Sequence, residues 1–169
     1  MSLLSDLALE NNKLKHPNFP DHMRPRKKFS DKDETALENC IIFFITYHGG
    51  QCEPIKVKAT RSDKRIHYID AVGYKRTIGR VQYMKSRMQA GSADLSSTIP
   101  VKIEGKDGKI HEHGLSVKIE VKIGKDWQKD VQKEYQSEIE SASGLYWIVK
   151  NFEDFYIKYC ELTGMKSVL

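Results

Sequence analysis

Between Val117 and Ile123 every second residue is apolar: Val117, Ile119, Val121 and Ile123 alternate with Lys118, Glu120 and Lys122. A period of two is that of a strand with one face in a core. Residues 54–60 alternate in the same way, and Leu145–Val149 is a short apolar run that reads as a buried strand. Asp94–Ile103 reads as extended, and the glycines of 105–108 mark a turn. Residues 61–90 are basic and less regular, with 65–72 a further strand candidate. Other segments carry helical spacing. Leu37, Cys40, Ile41, Phe44, Ile45 and His48 recur every three or four residues, and Ile42 and Phe43 widen that stripe, so this helix should be covered on more than one side. Ser30 and Asp31 are candidate caps, Asp33 and Glu34 suit the first turn, and Gly49-Gly50 stops the helix. A second helix is expected after Asp126 as cap, along Trp127, Val131, Tyr135, Ile139 and Ala142 to Gly144. A last one carries Phe152, Phe155, Tyr156 and Tyr159. The pattern predicts an α/β fold with a mixed sheet flanked by helices.

Residues 1–30 read differently. Leu3, Leu4, Leu7 and Leu14 suit a short amphipathic helix, whereas residues 16–28 hold three prolines and end in Arg26, Lys27 and Lys28. The segment is therefore expected to be a basic arm ahead of a domain at 31–169. Its leucines either contact a second copy or fold back onto their own domain.

Length and composition narrow the class. The chain has 169 residues, 39% hydrophobic and 30% charged, enough for one domain that hides about 70% of its unfolded surface. No apolar run approaches the roughly 20 residues of a membrane helix, and Met1–Glu10 lacks the basic start of a signal peptide. Cys40, Cys52 and Cys160 form no CxxC pair, which argues against a zinc site or disulfide framework and for a reduced, cytoplasmic protein. The net charge of +5 is uneven: residues 56–87 hold ten Lys or Arg against Asp63 and Asp70. Arg24, Arg26, Lys27 and Lys28 precede the domain, and Lys58, Arg61, Arg76, Arg80 and Arg87 fall in the second basic stretch. This pattern fits either a solvated surface or a polyanionic partner, with nucleic acid first among candidates.

Candidate chemistry begins with the polar face of the 117–123 strand. Lys118, Glu120 and Lys122 form either an ordinary exposed face or a charged pocket. Gly91-Ser-Ala-Asp94 sharpens the choice, because glycine permits a close backbone approach or an unusual φ just before an Asp that opens a strand. Two carboxylates meeting across neighbouring strands need a cation, or one must stay protonated. Mg²⁺ or Mn²⁺ suits such an oxygen-only site. His111 and His113 follow a turn, lack an evident third ligand and read as loop. Tyr146, Trp147 and the aromatic residues of 152–159 have the spacing of core packing.

Gly91-x-x-Asp94, Glu120-Val121-Lys122 and Gln132, in this order, resemble the VRR-NUC branch of the PD-(D/E)XK nucleases. Glu34, Leu37, Phe44-Ile45 and Gly49 are similar to that family's first helix, although Glu38 stands where Gln is usual. Residues 143–149, followed by Phe152-Glu-Asp, match its closing strand and helix. The resemblance spans residues 31–160, most weakly over 61–90. It implies a restriction-endonuclease-like core in the order α-β-β-β-α-β with a C-terminal helix. It further implies a Mg²⁺- or Mn²⁺-dependent DNA endonuclease, selective for four-way junctions or other branched DNA and acting as a homodimer. Asp94 and Glu120 would hold the metal with the Val121 carbonyl, Lys122 would orient or activate the attacking water, Glu34 would bind a second ion or organise the pocket, and Gln132 would bond Lys122 or the phosphate. A non-catalytic nucleic-acid-binding module of the same fold and a sequence-specific restriction-type enzyme are the alternatives.

Overall fold

Helix α2 (Glu34–Tyr47) starts where the Asp33 carboxylate accepts the Ala36 amide at 2.9 Å. Asp33 is thus the cap, not Ser30 or Asp31. Asp31 instead accepts the Phe152 amide at 3.2 Å and ties this end to the start of α4 (Phe152–Thr163). In the computed structural model, residues 1–55, 60–84, 89–105 and 107–166 are described. Lys58 and Arg87 lie outside these residues.

Four strands form the central sheet, in the order β1 (Gln51–Pro54), β6 (Leu95–Glu104), β7 (Ile110–Val121), β8 (Leu145–Val149). β1 and β7 run antiparallel to β6, while β8 runs parallel to β7, reached through the crossover helix α3 (Asp130–Ser141). The sheet is mixed and helix-flanked, as the hydrophobic pattern predicts. One strand bound differs from that expectation, and another expected strand falls largely outside the described residues. β1 occupies Gln51–Pro54, and of the strand expected over 54–60, residues 56–59 lie outside the described residues. β7 begins at Ile110, so His111 and His113 belong to an exposed strand end and not to a loop.

Val117, Ile119 and Val121 turn into the main core with Leu95 and Ile99, beneath Leu37, Ile41 and Phe44 of α2 and Phe155 and Tyr156 of α4. The Phe44 ring meets Phe152, Phe155, Tyr156 and Tyr159 edge-on at centroid distances of 5.1–5.8 Å. Each such pair contributes roughly 0.5–1.5 kcal/mol beyond burial. On the opposite face Ala93, Tyr135 and Tyr146 form a second, smaller cluster with Ile139 of α3.

The N-terminal segment packs onto the domain. Leu4 of α1 (Ser2–Lys15) is fully buried in the main core, with Leu3 and Leu7 partly buried against it, whereas Leu14 is 77% exposed. Three of the four leucines are thereby occupied within their own chain. Arg24 fixes the return from α1. Its Nε bonds Asp21, its Nη1 bonds the carbonyl and side-chain oxygens of Asn12, and its Nη2 bonds the carbonyls of His16 and Phe19. All five guanidinium hydrogens have partners inside the chain.

Between β1 and β6 the chain makes a nested antiparallel ribbon: β2 (Thr60–Asp63) pairs with β5 (Val81–Met84), and β3 (Ile66–Ile69) with β4 (Lys75–Ile78). Among the described residues, no helix is long and apolar enough to cross a membrane.

Candidate active site

Gly91 sets the position of Asp94. Its φ is +80°, and a β-carbon there would lie 2.7 Å from the Val131 carbonyl carbon, inside contact with the carbonyl oxygen, and 3.1 Å from the Gln132 amide. Only glycine lets this turn rest against the first turn of α3. Three residues on, Asp94 Oδ2 accepts the Val121 amide at 2.8 Å, across the sheet from the end of β7. Both properties expected of Gly91, close approach and unusual φ, are present.

Glu120 points to the α3 side, as strand alternation requires, and is fully buried. Lys122 Nζ lies 2.7 Å from its Oε1, the Gln132 amide nitrogen donates to the same oxygen, and the Tyr146 hydroxyl donates to Oε2 at 3.2 Å. Lys122 is 7% exposed and also reaches Asp126 Oδ2 at 3.1 Å. The polar face of this strand is therefore a buried, hydrogen-bonded cluster around Glu120 and Lys122 rather than an exposed face; Lys118, half-buried, bonds Ser96 Oγ at 2.6 Å.

The electrostatics follow from burial. Desolvation raises the Asp94 carboxyl above its ordinary range, against the Val121 hydrogen bond and the Lys122 charge. Desolvation also raises Glu120: its bond to Lys122 opposes this, and the nearby Asp94 charge adds to it. Burial alone would lower the Lys122 ammonium, but its bonds to Glu120 and Asp126 outweigh that and hold it above its ordinary value. The cluster thus favours added positive charge, or a proton, at its carboxylates.

Glu34 and Glu38, one turn apart on α2, bring carboxylate oxygens within 4.8 Å of each other and of Asp94. These three offer oxygen donors suited to a hard divalent ion. Among the described residues, no ion pair to Asp94 or Glu34 is present, whereas Glu120 pairs with Lys122. The chain matches no family model, no curated protein and no solved structure.

Asp94 thus stands between two groups, Glu34 and Glu38 of α2 and, through the neighbouring Val121 amide, Glu120 with Lys122 and Gln132. Gln132 bonds Glu120, not Lys122, and its carbonyl oxygen accepts the Lys129 amide at 2.9 Å. Val121 enters through its amide. Three participants escape sequence reasoning. Asp126 is a Lys122 partner and not a helix cap, since α3 starts at Asp130 and Trp127 is 76% exposed. Tyr146 looks like core but carries the hydroxyl that fixes Glu120. Glu38 joins the carboxylate group although the usual residue there is Gln. The i,i+4 spacing from Glu34 is the one signal that could have placed it.

The candidate DNA contacts divide. Arg24 has no hydrogen left for a phosphate. Lys27 Nζ sits over the Phe29 and Phe43 rings at 5.0 and 5.4 Å. Arg26 and Lys28 are exposed. Arg61 and Arg76 pair with Asp63 and Asp70, at 3.4 and 2.9 Å, and Arg80 is exposed on the ribbon.

Proposed function

We propose that this chain is a restriction-endonuclease-like enzyme that hydrolyses DNA phosphodiester bonds with Mg²⁺ or Mn²⁺, preferring branched DNA. The observation that carries the reading is the junction of Asp94 with Glu34 and Glu38 on one side and the Glu120–Lys122 pair on the other. A buried carboxylate–lysine pair beside Asp94 and Glu34, neither of which has an ion pair among the described residues, is costly unless something binds there.

The donor set fits the ion. Asp94, Glu34 and Glu38, whose carboxylate oxygens lie within 4.8 Å of one another, would hold it, with Glu120 and the Val121 carbonyl the further oxygens that the family resemblance implies. The chemistry supplied with the ion in place is Lewis-acid stabilisation of the phosphate and acidification of the attacking water. The remaining work falls to the protein. Lys122 orients that water and offsets charge growing on the phosphate. Gln132 and Tyr146 fix Glu120 in one rotamer through hydrogen bonds. Gly91 and the Val121 amide set the reach of Asp94. Paired cuts at a junction require two such centres, hence a dimer of this chain.

The test is incubation with Mg²⁺ or Mn²⁺ and labelled linear duplex, single strand, flap and four-way junction, followed by mapping of the cuts. Cleavage should disappear in excess EDTA and in Asp94→Ala and Glu120→Gln. Full turnover in EDTA, or in both variants, would overturn the reading. Light scattering with and without the junction tests the dimer.

A further inference from the structure

The ribbon of residues 60–84 has no part in the chemistry above, yet it is rooted there. The chain leaves the sheet after β1, where the Ile55 amide donates to the Asp94 carbonyl at 2.7 Å, and returns to it at Asp94 itself. Among the described residues, its strands pair only with one another, and β3 and β4 are exposed on both faces. Ile66, Ile69 and Ile78 are each more than 60% exposed. A lone two-stranded ribbon with both faces in water is marginally stable, so this one calls for a partner.

Its charge and its tip indicate the partner's chemistry. Residues 60–84 hold six Lys or Arg against Asp63 and Asp70. Both Asp carboxylates are already taken, by Arg61 and Arg65 and by Arg76. Lys64, Lys75 and Arg80 have no ion pair among the described residues. A second copy would bring like charge against like charge, whereas a polyanion matches. The tip is an ordered turn. Asp70 accepts the Val72 and Tyr74 amides at 3.0 and 2.9 Å and the Arg76 Nε at 2.9 Å, while its carbonyl accepts the Gly73 amide at 2.9 Å. That network presents two apolar side chains outward, Val72 at 79% and Tyr74 at 64% exposure. β2 and β3 with the two residues between them would span at most roughly 30 Å, close to one turn of duplex DNA.

We propose that this ribbon is a DNA-gripping arm, with Lys64, Lys75 and Arg80 on phosphates and Val72 and Tyr74 wedged against the base stack up to about one helical turn from the cut. Apolar wedges on basic elements open base steps in this manner. The proposal rests on DNA being the substrate, and it places the grip in the stretch of chain that leads into Asp94.

The experiment uses the full-length protein with Ca²⁺ in place of Mg²⁺, titrated onto a duplex and a four-way junction carrying 2-aminopurine. Lys64→Ala/Lys75→Ala/Arg80→Ala should weaken binding roughly tenfold or more and flatten the log–log salt slope by about 2.7. Val72→Ser/Tyr74→Ser should keep the slope but lose the 2-aminopurine fluorescence rise that marks unstacking. All five side chains are solvent-facing, and circular dichroism checks that the variants fold. Unchanged affinity and slope in the triple variant would overturn the arm. So would a dimer, seen by light scattering, that dissolves in the double variant while DNA binding persists, since the tip would then contact a second copy. Arm-dependent binding without cleavage in Mg²⁺ or Mn²⁺ would remove the nuclease reading and leave the arm. Failure to bind any DNA removes both.

Discussion

Replacing Gly91 with Ala tests whether the Asp94 turn is set by its contact with α3. Two costs combine. At φ +80° a non-glycine residue costs about 1–2 kcal/mol. The added carbon would also meet Val131 backbone at 2.7 Å, and backbone cannot move aside as a flexible side chain does; such overpacking costs about 1–3 kcal/mol. The expected loss is about 2–5 kcal/mol, a fall in Tm of roughly 4–20 °C for a domain of this size. Gly49 supplies the control: its φ is +83°, but an added carbon there meets nothing within 4 Å. Gly49→Ala should therefore show only the backbone part. Urea unfolding of both variants isolates the packing contribution as their difference. Cleavage should fall in Gly91→Ala alone, because relief of the clash moves Asp94 or Gln132. Equal stability losses in the two variants, with activity intact in both, would refute the reasoning.

Lys122→Ala strips the fully buried Glu120 of its ion pair and should cost about 3–5 kcal/mol, with much of it recovered by Lys122→Met/Glu120→Gln; no recovery in denaturant titrations would argue against the pair. Arg24→Ala should destabilise by about 2–4 kcal/mol through the lost hydrogen bonds while leaving the salt slope of DNA binding unchanged; a flatter slope would place Arg24 on DNA after all. Asp94 is raised by burial, so its protonation favours the folded state: that contribution is complete below its unfolded value near 3.8 and is lost as pH rises through the folded value. Asp94→Asn should accordingly gain stability relative to the parent between acidic and neutral pH; a pH-independent difference in unfolding free energy would count against this.

What the sequence discloses here is periodic or local. Alternation across 117–123 identifies both faces of β7, and helical spacing finds α2 and α4, because one long stripe of each is buried. Gly91 and Asp94 are legible as a pair since the backbone constraint lies three residues from the carboxylate. The rest depends on the third dimension. Asp126 has the look of a cap, and only the bend after Ile123 carries it back to Lys122. Tyr146 alternates like a core residue, and nothing local reveals a buried carboxylate beneath its hydroxyl. Arg24 reads as one more cation in a basic run, while its partners lie up to 12 residues earlier, where α1 ends. The ribbon is hardest to foresee, because its apolar residues are solvent-facing on both sides and give no core face to detect.

The order of the chain bears on when the centre can exist during synthesis. Glu120 leaves the ribosome before both of its uncharged hydrogen-bond donors, Gln132 on the crossover helix and Tyr146 on the neighbouring strand. A nascent or truncated product ending after Lys122 and before Gln132 would hold this carboxylate next to Lys122 alone, without the β8 strand that covers it. The hydrogen-bonded cluster is therefore complete only as β8 zips alongside β7, and on the proposed nuclease reading a chain released early should fail to cleave even with Asp94, Glu120 and Lys122 all present.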